Sequence, residues 1–114
     1  MAESHKTWNG MQEVEVTFKL KRGWFNSGSR TRLEIRFGGV EVGDGRHLTH
    51  RLEETMLAFP GFHSLVIRHR SGLLGGWRTA SFELEIPRAE RCLVMLEFGP
   101  GARFLFLPKV TVLE

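Results

Sequence analysis

The chain has 114 residues, a hydrophobic fraction of 41% and a charged fraction of 25%. These values suit one globular domain with its own core and exclude a disordered or fibrous chain. A single cysteine excludes an internal disulfide, and no apolar run approaches the roughly 18–20 residues of a membrane-spanning helix.

Residues 1–12 are polar, with Trp8 as their one anchor candidate, and read as a flexible tail without a secretory signal. One sandwich domain is expected over 13–114. Glu13–Lys21 alternates strictly: Val14, Val16, Phe18 and Leu20 point one way and the polar residues the other, as in a half-buried strand. A Gly/Asn/Ser-rich loop, Arg22–Arg30, follows and opens on Trp24 and Phe25. Arg32–Phe37 alternates again, and Gly38-Gly39 links it to Val40–Val42 as a hairpin, because both glycines can take the positive φ of a type I′ turn. Gly43-Asp44-Gly45 reads as the next turn. In Arg46–Thr55, Leu48 and Leu52 permit a helical turn, while Leu48, His50 and Leu52 permit a strand face; a strand or irregular crossing is expected.

The chain is organised around Leu57–Arg70. Pro60-Gly61 supplies a preset φ followed by a residue free to take a positive one, and Leu65-Val66-Ile67 then gives the clearest buried-strand pattern. A second Gly-rich loop, Ser71–Arg78, carries Leu73, Leu74 and Trp77. Thr79–Ile86 alternates with Ala80, Phe82, Leu84 and Ile86 inward, and Pro87 ends it. Arg91–Phe98 is apolar on both faces, Gly99-Pro100-Gly101 turns the chain back, and Arg103–Leu113 is a last strand interrupted at Pro108. Seven or eight short strands with Gly/Pro turns and no long helix predict an all-β, antiparallel two-sheet β-sandwich, with a small open barrel as the alternative.

Stretches of this sequence, LEIRFGGVEVGDG and MLAFPGFHSLVIRH, resemble the PEGA-type and related fibronectin-like accessory domains of bacterial proteins. Those domains pair a Gly-containing hairpin with a Pro-Gly turn leading into a strand. The resemblance spans residues 33–70 and implies a β-sandwich that binds or positions other proteins without catalysis.

Few groups point to chemistry. Cys92 lies in the run Cys92–Leu96 and reads as a buried, inert thiol. Of five histidines, His47 and His50 fall on opposite faces of a strand, and His63 and His69 share a face about 20 Å apart. His63 reads as a satisfied histidine at a strand end. Asp44 is the only Asp, and no nucleophile elbow or phosphate loop is present. No catalytic residue, metal site or cofactor is therefore expected. An enzyme survives as a reading only if a cleft gathers His47, His50 or His63 beside a glutamate.

Charge is unevenly spread. Lys19–Arg51 holds eight basic residues against three acidic, and Thr79–Glu97 two against four. Such polarity can steer an anionic partner or another copy of the chain. The two loops join it: Arg22, Trp24 and Phe25 in one, Leu73, Leu74, Trp77 and Arg78 in the other. At the same end of a sandwich they would form an apolar patch with a basic rim, next to a basic face around Arg32 and Arg36. The alternative is that Trp24 and Trp77 fold back to plug the ends of the core. The expected function is a non-catalytic module for protein–protein contact or homo-oligomer formation. The alternative is a module for anionic or carbohydrate ligands, or for an anionic membrane surface. A lone thiol suits the cytoplasm.

Overall fold

The computed structural model describes residues 7–8, 11–21, 31–48, 52–71, 76–98 and 105–113. They form ten strands: β1 (Thr7–Trp8), β2 (Met11–Gln12), β3 (Val14–Leu20), β4 (Thr31–Phe37), β5 (Val40–Leu48), β6 (Glu53–Ala58), β7 (Gly61–Ser71), β8 (Arg78–Ile86), β9 (Arg91–Leu96) and β10 (Lys109–Leu113). Eight of them make two four-stranded sheets. Sheet one has the order β10-β9-β3-β6 and sheet two the order β5-β4-β7-β8. Neither sheet closes on itself, so the fold is the expected sandwich and not a barrel, and no helix occurs among the described residues. Within the first twelve residues, β1 and β2 pair as a separate two-stranded ladder.

Alternation decides which side chains meet between the sheets. Val14, Val16 and Phe18 of β3 and Cys92, Val94 and Leu96 of β9 face Leu33, Ile35 and Phe37 of β4 and Leu65 and Ile67 of β7, all fully or almost fully buried. Each large apolar side chain withdrawn from water in this way contributes about 1.5–3 kcal/mol. Phe18 and Phe37 lock the sheets together, with ring centroids 5.3 Å apart and planes inclined at 68°.

Glycine does its expected work at the β4–β5 hairpin, where Gly38 and Gly39 take φ of +60° and +83°. Gly61 takes φ +124° where β6 passes into β7.

Three expectations are corrected. Gly43-Asp44-Gly45 is not a turn: β5 runs through it from Val40 to Leu48, with Gly43 at φ +68° and the β4–β5 register shifting between Glu34 and Arg36. Positive φ lets glycine sit in a bulge and keep the strand going as readily as it reverses a chain. The last strand begins only at Lys109; Pro108 directly precedes it, and Leu105 makes an isolated bridge to Phe98. Residues 103–104 lie outside the described residues. Sheet one is also not wholly antiparallel, because β3 and β9 pair parallel from Glu15↔Arg91 to Leu20↔Leu96. In the ambiguous stretch, Arg46–Leu48 ends β5 and Glu53–Thr55 begins β6, both as strand; residues 49–51 lie outside the described residues.

Candidate interaction surface

Of the sequence-derived candidates, Arg22, Trp24, Phe25, Leu73 and Leu74 lie outside the described residues. The strand ends that flank their two loops are described. Thr31, which follows residues 22–30, is the register partner of Ser71, which precedes 72–75. Both loops therefore spring from one end of sheet two. Arg32, one step along, is the partner of Arg70 on β7 and of Leu48 on β5.

Arg36, Trp77 and Arg78 fall in and beside sheet two. Arg36 is exposed opposite Val66, and Arg78 is exposed opposite His69 at the start of β8. Trp77 does not plug the core. It is half-buried, with its ring beneath Arg68, whose guanidinium carbon sits 4.9 Å from the ring centroid. Arg68 Nη1 also donates to Glu34 Oε1 at 2.9 Å, across from β7 to β4. The arginine is thus held from two sides. At this exposure the ion pair and the stacking together contribute about 1 kcal/mol. That is small for stability but enough to orient the guanidinium.

Phe62 lies farther along β7, outward and opposite Glu85, and is 65% exposed. Glu83 and Glu85 are both exposed on β8. β7 and β8 therefore carry arginines toward their connecting-loop end and carboxylates toward the other. Arg68, Glu34 and Phe62 were absent from the sequence-derived set. Counting alternation back from buried Leu65 would have put Phe62 outside, whereas the Arg68–Glu34–Trp77 contact depends on which strands are neighbours.

The groups with chemical potential are turned inward. His69 is 2% exposed and packs edge-on against Phe98, with centroids 5.2 Å apart. Burial, and then the charge of Arg78, hold its pKa below the usual 6.5, so the neutral imidazole is favoured. His63 Nε2–H donates to the Phe59 carbonyl oxygen at 2.7 Å, and its ring sits 5.0 Å from that of Phe37. This is the satisfied strand-end histidine that the sequence suggests. Burial raises the Cys92 pKa and keeps it a thiol. Among the described residues, no three His, Cys, Asp or Glu side chains gather where a metal ion could be held. The His47 side chain and all of His50 lie outside the described residues.

A shallow groove of about 330 Å³ runs between Arg88, Ala89, Glu90 and Arg91 on one side and Val112 and Leu113 on the other. No described helix is long and apolar enough to cross a membrane. No protein-family model, no curated protein and no solved structure matches the chain.

Proposed function

We propose that the chain is a non-catalytic β-sandwich module that mediates protein–protein contact, first of all with copies of itself. The observation that carries this reading is the outward side of sheet two, which presents Arg36, the Arg68–Trp77 stack and, farther along β7, exposed Phe62 on one face. Arginine and large aromatic residues are the side chains enriched at the centres of protein interfaces. Withdrawal of His69 and Cys92 from solvent supports a role without catalysis. The resemblance of residues 33–70 to PEGA-type accessory domains points the same way. A buried lone thiol suits a reducing compartment such as the bacterial cytoplasm. Sedimentation over rising concentration tests the reading. Reversible self-association supports it, and a monomer that persists to about 1 mM, the weak limit of specific association, overturns it.

A second reading, a module for anionic or carbohydrate ligands or an anionic membrane surface, draws support from the arginines on adjacent strands: Arg32 paired in register with Arg70, Arg68 two residues along β7 and Arg36 four residues along β4. Titration with single-stranded oligonucleotide, anionic vesicles and a glycan panel, followed by tryptophan fluorescence, tests it. A saturable shift supports a ligand site, and no response to any of the three overturns it.

A further inference from the structure

Edge strands invite pairing with other chains, and proteins usually blunt them. Three of the four edges here are blunted. β5 is bulged at Gly43, β6 turns the half-buried carboxylate of Glu54 toward the core face beside Phe18, and β10 is five residues long and starts behind Pro108. β8 has such a device only at its first residue, where Arg78 takes the core-face position opposite His69. It runs nine residues without Gly or Pro and keeps unbroken register with β7 from His69↔Arg78 to Gly61↔Ile86. Among the described residues, no strand pairs with its other side.

Charge and apolar surface both identify what fits that side. On the outer face, Arg68 and Arg70 of β7 make one end of this flank basic, and Glu83 and Glu85 of β8 make the other acidic; Arg78, opposite inward His69, lies on the core face. An antiparallel second copy turns the carboxylate end of one β8 toward the end of the other that Arg68 and Arg70 flank, while Arg78 meets the partner's Ile86 on the core face. With Phe82 at the centre, Ser81 faces the partner's Glu83 and Thr79 the partner's Glu85, so no carboxylate opposes another; centring on Glu83 would oppose two. The same flank of the sandwich is open to apolar contact. Ala80 and Phe82 on β8 are only half-buried, and on β10, which lies beside β8, Val112 is 40% exposed although its register partner Cys92 is fully buried.

We propose that two copies of this chain join through β8, antiparallel about a two-fold axis at Phe82, so that their second sheets become one continuous eight-stranded sheet. The proposal rests on the self-association reading and adds the seam. It brings Phe82 against the partner's Phe82, and β10 toward the partner's β10.

Substitutions at exposed Ser81 test the seam by sign. Ser81→Glu sets carboxylates against the partner's Glu83 and is expected to weaken the dimer several-fold in sedimentation, whereas Ser81→Lys is expected to tighten it. Register is tested by mixing Ser81→Cys and Glu83→Cys chains under mild oxidation. Directly opposed Cβ atoms lie about 4.5–5.5 Å apart and diagonal ones about 7–8 Å, and only the former approach disulfide geometry. The mixture is expected to cross-link faster than either variant alone, with Cys92 too buried to compete. A dimer that is indifferent to both Ser81 charges and shows no preference for the mixture overturns the seam but leaves self-association standing. A wild-type chain that is monomeric throughout overturns both.

Discussion

β3 and β7 hold equivalent places, each an inner strand of its sheet, yet their contents differ. The core face of β3 is uniformly apolar, with Val14, Val16 and Phe18 all buried. Its outer face is plain: Glu15, Lys19, and a Thr17 whose hydroxyl hydrogen-bonds that of Thr55 at 2.9 Å. The core face of β7 has Leu65 and Ile67 at its middle but His63 and His69 toward its ends, and its outer face carries Phe62, Arg68 and Arg70. The difference shows where this sandwich tolerates polarity. An imidazole enters the core only toward a strand end, where a carbonyl or a ring edge can receive it, and the middle of both strands is given over to packing.

The strongest way to sharpen the contrast is Phe18→Ala in β3. It removes the ring that bridges to Phe37 and is expected to cost about 3–5 kcal/mol in urea unfolding, against about 0.5–1.5 kcal/mol for Ile67→Val in β7. The contrast breaks if the two losses are alike. Gly38→Ala, at the hairpin entering β5, comes next. An added Cβ would stand 3.5 Å from His63 Nδ1, an ordinary contact, so the expected loss of about 1–2 kcal/mol comes from the left-handed backbone and is read as a lowered midpoint.

The histidine end of β7 predicts a slope with pH. His69 titrates below its usual 6.5 in the folded chain, so the unfolded chain takes up that proton first. Its contribution is complete above about pH 6.5 and is lost as pH falls toward the folded pKa. His69→Leu should flatten that part of the curve of urea midpoint against pH; an unchanged slope would show that His69 is not its source. Smallest is Arg68→Ala. It should change stability by no more than about 1 kcal/mol, yet shift the emission of Trp77 in a chain with Trp8 and Trp24 replaced by Phe. No spectral change would mean that the stack is not populated in solution.

Much of the fold was legible in β3 and β8, because period-two alternation is a local record of which side faces the core. Gly38-Gly39 was legible for the same reason, since its turn chemistry lies within two residues. The parallel partnership of β3 with β9 was not, because alternation records a face and not a neighbour. Gly43 misled because a bulge and a turn ask the same freedom of glycine. Of the candidate surface, Arg36 was found as part of a basic stretch and Trp77 as an aromatic residue in a Gly-rich loop. Glu34 and Arg68, which fix Trp77 in place, became visible only once β4 and β7 were known to be adjacent. His69 was missed because a polar residue between two arginines reads as a solvent-facing strand end.

The parallel alignment of β3 with β9 also sets an order of events during synthesis. β3 leaves the ribosome before every other strand of the two sheets, but the strands that complete its own sheet emerge only after all of sheet two. Until then β3 has β6 on one side alone, while the β4–β5 and β7–β8 hairpins can zip locally as they appear. Closure of such distant pairs slows folding and leaves a β edge waiting in the nascent chain. Emergence of β9 and β10 from the ribosome, more than any earlier step, should therefore mark the moment at which the domain becomes resistant to protease.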